Sequence, residues 1–276
     1  MWSKLGIRVA SGVIGAILVI ALIFAPVWIF NLAVSLVCLI ALYELYMSFK
    51  QETKWQIVLL DYIFAVLMML TPFITDYGYQ KGIFTFLLVT YLALLFVCAI
   101  IWHRKIKFYD VISSFFMLIY AVLFLCHLML VRSMENGAVL IFLPFLGAWM
   151  PDTFAYFTGK LFGKHKLIPD ISPNKTVEGS VGAVLGCMLI FLIYGFVVEN
   201  FTEWNVQYVP LLILSVLCGI FAQFGDLAAS LIKRECQKKD FGNLIPGHGG
   251  ILDRVDSLIF IAPLVYYFVL YFPVIL

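Results

Sequence analysis

VPLLILSVLCGIFAQFGDLAASLIKR, residues 209–234, is the stretch that decides the fold. Its apolar run is long enough for a helix that crosses a bilayer, which takes about 20 residues. One carboxylate, Asp226, interrupts it, and Lys233 and Arg234 close it. Asp226, Ser230 and Lys233 are spaced i, i+4, i+7 and fall along one helical face. A carboxylate near the middle of such a helix costs roughly 2.5–3.5 kcal/mol to insert. It is tolerated when it meets a cation or a water-filled cavity. Asp226 is therefore either a metal ligand or the partner of a lysine or arginine elsewhere, and this helix alone leaves both open.

The rest of the chain agrees with a membrane setting. Of 276 residues, 64% are hydrophobic, 17% aromatic and only 12% charged, against about half apolar and a quarter charged in soluble domains. The expected fold is all-α, a polytopic integral membrane bundle of about nine transmembrane helices. The spans read as 9–30, 31–49, 55–75, 82–102, 108–131, 138–159, 179–199, 208–232 and 254–275. The first two are nearly fused, with the division expected near Phe30 and Asn31. The start, MWSKLGIRV, has no clear cleavage site after its apolar run, so a retained first helix is expected. No polar segment is long enough for a soluble domain. The chain reads as one membrane domain, 1–276, with an N-terminal transmembrane part (1–135) and a catalytic part carrying the polar loops (136–276).

Charge is strongly asymmetric. With nine spans, sixteen of the eighteen lysines and arginines fall on one side, leaving only Lys81 and Arg132 on the other. The positive-inside rule places that rich side, the N-terminus and the loops 160–178 and 233–253 in the cytoplasm. Nothing forms a nucleic-acid-binding stripe. The six cysteines lack metal-ligand spacing and read as small hydrophobes.

Two polar segments could carry chemistry. In SLIKRECQKKDFGNLIPGHGGILDRVD, residues 230–256, Asp253 and Asp256 are three apart and share a face at a helix start. Either could simply cap that helix. Beside them, however, Gly247, Gly249 and Gly250 allow a close approach of backbone, and their N–H groups could cradle a phosphate at the helix N-terminus. Acids next to an anion repel it unless a divalent cation lies between, so acids, glycines and lysines together read as a metal–phosphate site. His248 could donate to a phosphate oxygen.

In the other segment Asp152, Tyr156 and Gly159 lie at i, i+4, i+7. Ser172-Pro173-Asn174-Lys175-Thr176 reads as a turn, with Thr176 able to cap the next helix or to face a phosphate together with Lys175. Blander readings hold elsewhere. Glu44 and Asp61 are expected to pair within the bundle, and His127 to be a bonded core residue. The small residues of GSVGAVLG, 179–186, suit close helix packing.

These blocks resemble the phosphatidate cytidylyltransferases, the CDP-diacylglycerol synthases. The similarity rests on Ser230-x-x-Lys233-Arg234, Lys239-Asp240 and Pro246-x-His248-Gly249-Gly250-x-x-Asp253-Arg254-x-Asp256. Asp152-Thr153-x-Ala155-Tyr156, Gly159-Lys160, Ser172-Pro173-x-Lys175-Thr176-x-Glu178-Gly179 and Gln223-x-Gly225-Asp226 add to it. It covers roughly 145–260, and the N-terminal half matches in hydropathy alone.

The resemblance implies transfer of a cytidylyl group from CTP to phosphatidic acid, with magnesium and room for a second cation. It further implies a homodimer in a bacterial inner membrane. On it, Asp226, Asp253 and Asp256 are expected metal ligands, and Lys175 and Lys233 join Asp226 and Asp253 as catalytic residues. Ser172, Asn174, Thr176, Arg234, Lys239, His248, Gly249, Gly250, Arg254 and Asp152 are expected to hold substrate. A CTP-dependent lipid-alcohol kinase, or a cytidylyltransferase for another lipid phosphate, would present similar polar motifs. An ion-coupled transporter is disfavoured, since no internal repeat is visible and the polar residues cluster on one side.

Overall fold

The computed structural model describes residues 2–49, 54–74, 77–245, 247 and 249–276. The chain divides into two compact units, Met1–Ser133 with Lys238–Arg254, and Met134–Gln237 with Val255–Leu276.

The first unit is built from α1 (Trp2–Phe24), α2 (Val27–Phe49), α3 (Trp55–Ile74), α4 (Tyr77–Ile101), α5 (Phe108–Leu118) and α6 (Phe124–Arg132). A five-residue π-helical turn, Ile119–Leu123, joins α5 to α6, so that 108–132 forms one continuous apolar rod. The break between the first two helices falls at Ala25–Pro26, several residues before the expected division at Phe30 and Asn31. The reason is local. Proline lacks an N–H and drives the residue before it out of the α region, whereas Phe30 and Asn31 are buried inside α2.

A carboxylate organises the interior of this unit. Asp61 on α3 is completely buried. It accepts hydrogen bonds from Tyr46 of α2, from Tyr91 of α4 at 2.6 Å and from Ser114 of α5 at 2.6 Å. Four helices thus meet at one side chain. The expected role of Asp61 as an internal partner holds, although its donors are hydroxyls and not a cation. His127 likewise sits in the core, with Nδ1 2.8 Å from the Leu123 carbonyl.

The second unit contains the short α7 (Gly137–Leu140), α8 (Phe142–Phe162), a hairpin of β1 (Lys166–Ile168) and β2 (Ser172–Thr176), then α9 (Val177–Phe201), α10 (Tyr208–Glu235) and, from Val255 on, α11 (Leu252–Tyr271). The strands are antiparallel, with Lys166 opposite Thr176 and Ile168 opposite Ser172. Residues 172–176 are therefore a strand and not the expected turn. Pro173 is compatible with this because each strand of a two-stranded ribbon has a free edge that needs no donor. Thr176 caps α9 as its sequence suggested, accepting from Gly179 N at 3.1 Å.

Small residues set the spacing of α8 and α9. A methyl group on Gly182 would overlap Thr158, one on Gly186 would overlap Phe154, and one on Gly179 would stand 2.9 Å from the Ala155 carbonyl oxygen. Backbones approach closely here because no side chains intervene. The opposite face of α9, with Leu185, Leu189, Ile193 and Phe196, is exposed and apolar, as a lipid-facing surface must be.

Among the described residues eight helical stretches are long and apolar enough to cross a membrane, and α1 occupies the remaining expected position. The protein is a polytopic helical membrane protein.

Replacing Asp61 by Ala leaves the hydroxyls of Tyr46, Tyr91 and Ser114 without their shared acceptor. An unsatisfied buried polar group costs about 1–3 kcal/mol. Asp61→Ala is therefore expected to lower the unfolding midpoint in detergent clearly more than Asp61→Asn, which retains an acceptor.

Candidate active site

The polar centre of the second unit grows from three helices and the hairpin. β2 carries Lys175, whose Nζ lies 2.6 Å from Asp226 Oδ2 on α10. Both side chains are partly accessible, at 21% and 28%. The pair lines a cavity of about 460 Å³ together with Asp152, Tyr156, Asn174 and Thr176. Gln223 forms its inner wall, held by Nε2 donating to the Gly219 carbonyl at 2.7 Å and the Ser180 carbonyl at 3.3 Å. Lys160 stands at the edge with its ammonium 5.8 Å from the Tyr156 ring centroid, a cation–π arrangement.

Gly225 explains how α10 meets α11. A methyl group there would lie 2.8 Å from the Asp256 carbonyl oxygen and 2.9 Å from the Ser257 Cα. The contact of helix backbones at this glycine sets Asp226 beside Asp256. Asp256 feels the charges of Asp226 and Asp152 as repulsion and that of Lys233 as attraction. Three carboxylates from α8, α10 and α11 are thus electrostatically coupled, with Lys175 and Lys233 as counter-charges.

The glycine-rich segment belongs to the first unit and follows a different logic. Glu44 of α2 is buried, and its two carboxylate oxygens accept from Ile251 N at 2.9 Å and Leu252 N at 2.8 Å. Asp253 Oδ2 accepts from Phe241 N at 2.9 Å and Gly250 N at 3.0 Å. Ile245 N donates to the Gly249 carbonyl at 2.8 Å, closing a tight turn with φ of +79° at Gly247 and +85° at Gly249. These φ values favour glycine.

Of the three glycines expected to cradle a phosphate, Gly250 gives its N–H to Asp253, and the N–H groups of Ile251 and Leu252 beyond it go to Glu44. The expectation that Glu44 pairs within the bundle holds with partners the sequence does not reveal, since nothing near it connects it to residues more than 200 positions away.

The other expected residues separate as follows. Asp152, Asn174, Lys175, Thr176 and Asp226 share the cavity. Ser172, at the far end of β2 opposite Ile168, does not line it. Arg234, Lys239 and Arg254 are exposed. His248 lies outside the described residues. Among the described residues no three His, Cys, Asp or Glu side chains form a metal-holding group.

The chain belongs to the cytidylyltransferase family, whose family model matches residues 6–272. It is 31% identical over 265 residues to a phosphatidate cytidylyltransferase of Bacillus subtilis (strain 168), covering 94% of this chain and 96% of that protein. Shorter stretches match at higher identity. A phosphatidate cytidylyltransferase of Staphylococcus saprophyticus is 45% identical over 135 residues, 49% of this chain and 50% of that protein. One of Synechocystis sp. is 44% identical over 138 residues, 50% of this chain and 45% of that protein.

Gly225→Ala places a methyl group against backbone atoms that cannot rotate away. Overpacking of this kind costs about 1–3 kcal/mol. The variant is expected to unfold at lower detergent or temperature stress and to lose activity, measured side by side with Gly6→Ala, where a methyl group meets nothing within 4 Å.

Proposed function

We propose that this protein transfers the cytidylyl group of CTP to phosphatidate, giving CDP-diacylglycerol and pyrophosphate. A phosphatidate oxygen bonds to the α-phosphorus of CTP, and the bond from that phosphorus to the bridging oxygen breaks as pyrophosphate leaves. The observation that carries this is the Lys175–Asp226 pair at 2.6 Å inside a polar cavity of an otherwise apolar helix bundle, in a chain related along its length to phosphatidate cytidylyltransferases.

Both reactants are anions, so the first barrier is their mutual repulsion. Lys175, Lys160 and Lys233 supply positive charge, and a lysine ammonium serves as a point-charge partner for phosphate. Asn174 and Thr176, which also line the cavity, offer polar side chains to phosphate oxygens. Lys239, Arg234 and Arg254 lie at exposed positions where they can attract CTP or the lipid headgroup.

The donors present fit a hard cation. Asp226, Asp256 and Asp152 offer oxygen only, and magnesium is commonly held by one or two carboxylates with substrate phosphates and water completing its shell. Asp226 and Asp256 are the ligands this unit offers. Asp253 remains a proposed ligand, although its Oδ2 already holds two backbone N–H groups. When bound, the ion would offset charge on the transferring and departing phosphates. A second cation and a homodimer are part of the same proposal.

The charge asymmetry of the loops supports a cytoplasmic N-terminus and cytoplasmic polar loops, where CTP is available. The exposed apolar faces of α8 and α9, including Phe157, Leu161, Val181 and Leu185, support lateral entry of the lipid between helices.

The test is to incubate purified protein with labelled CTP, phosphatidate and magnesium. Lipid-linked CMP should form with release of pyrophosphate and should vanish with EDTA. Release of CDP with a lipid alcohol, and no pyrophosphate, would replace this reading by a kinase. Asp226→Asn and Asp256→Asn are each expected to lower turnover on the order of 10²-fold, the scale of losing one charge-stabilising group, with the protein still folded. Near-normal turnover in a folded Asp226→Asn enzyme would contradict its role.

A further inference from the structure

α2 carries polar side chains on two faces. Glu44 and Ser48 are four residues apart and face residues 238–252, while Tyr46 between them turns to Asp61. On the first face the contacts are dense. Glu44 receives Ile251 N and Leu252 N at 2.9 and 2.8 Å, Ser48 Oγ lies 3.4 Å from the Phe241 carbonyl, and Lys238 Nζ donates to the Met47 carbonyl at 2.6 Å. Glu44 is only 4% exposed. Room for it is provided by glycines: a methyl group on Gly242 would stand 2.5 Å from Glu44 Oε1, and one on Gly250 would overlap the same carboxylate.

The residues held in this way, Lys238, Phe241, Ile251 and Leu252, are the chain neighbours of those the family resemblance singles out, Lys239, Gly250 and Asp253 among them. The Leu252 N–H bound by Glu44 belongs to the first turn of α11, the turn that carries Asp253. A buried carboxylate satisfied by two backbone N–H groups is a strong anchor, since charge-assisted bonds are about twice as strong as neutral ones. Releasing it leaves two orphan donors in an apolar setting.

We propose that Glu44 is a positioning residue for cytidylyl transfer. It acts from the N-terminal half of the chain, where no sequence motif marks it, by holding Ile251 and Leu252 at the first turn of α11. It touches neither nucleotide nor lipid. It fixes the residues that do, so its loss lowers turnover and not substrate affinity. The proposal rests on the cytidylyltransferase reading above.

The experiment uses the full-length protein in detergent or nanodiscs and compares wild type, Glu44→Gln, Gly242→Ala and the double variant. The glutamine keeps length but offers one acceptor and sets an NH2 against a backbone N–H. The alanine keeps the charge and displaces it. Each is read by kcat and by KM for CTP and for phosphatidate, and by amide hydrogen exchange. For Glu44→Gln, kcat should fall about 10–100-fold, the range for losing a supporting partner of a site, with little change in either KM. Exchange should quicken at 250–252 and stay unchanged in α8–α10. Gly242→Ala should reproduce the pattern, and the double variant should be no worse than the worse single one, because both act through one contact.

Unchanged kcat with faster exchange at 250–252 would overturn the proposal, as would a kcat loss accompanied by faster exchange throughout α8–α10. If Glu44→Gln does not fold, Gly242→Ala decides by the same readings. A wild-type protein that makes no lipid-linked CMP would instead remove the functional reading. That outcome is separable, because exchange does not depend on turnover.

Discussion

Carboxylates placed in a bundle that faces lipid have to be answered by donors, and the way each is answered assigns its role. Asp61 is met by three hydroxyls and Glu44 by two backbone N–H groups. These are short, neutral donors on fixed elements. They leave the acid with nothing to exchange, and what it gains is the position of its neighbours. Asp226 is met differently, by the ammonium of Lys175 at the wall of an open cavity. A flexible lysine can turn from a carboxylate to a phosphate, and a carboxylate released from it can turn to a cation. The contrast between neutral, buried satisfaction and cationic, accessible satisfaction separates scaffold from chemistry.

The same contrast suits the reaction. Joining two phosphates requires no covalent enzyme intermediate. It requires positive charge close to both anions and a geometry that brings one phosphate oxygen in line with the bond to be broken. Lysines on mobile stems provide that charge, and the cation proposed to sit on the acids would add to it. The geometry depends on elements that pack backbone to backbone: glycine contacts between α8 and α9, and the contact at Gly225. In a bilayer, where apolar packing between helices gains little over apolar packing against lipid, close approach and internal hydrogen bonds do most of the fixing.

Much of this was legible in sequence. The spans followed from length and hydropathy, because a lipid-facing helix has few alternatives. The packing role of Gly179–Gly186 followed from residue size, and the cap at Thr176 from its place before an apolar run. The break between the first helices was misjudged because the polar Asn31 drew attention, while Pro26, four residues upstream of Phe30, ends the helix by its missing donor and its clash. The strand at 172–176 was hidden because serine, proline and asparagine favour turns and strand edges alike.

The glycine segment is ambiguous in sequence for a deeper reason. A helix start with free N–H groups looks the same in sequence whether its anion is a substrate or a glutamate from another helix. Only the fold reveals that Glu44, some 207 residues away from Ile251, is that anion.

The most direct measurement is a structure of the protein with CTP and manganese, with the metal located by its anomalous signal. The account predicts a metal peak at coordination distance from Asp226 and a nucleotide phosphate oxygen, Lys175 turned toward phosphate, and Glu44 still bound to Ile251 and Leu252. Phosphates seated on the N–H groups of residues 250–252, with Glu44 displaced and Asp226 still paired to Lys175, would contradict it.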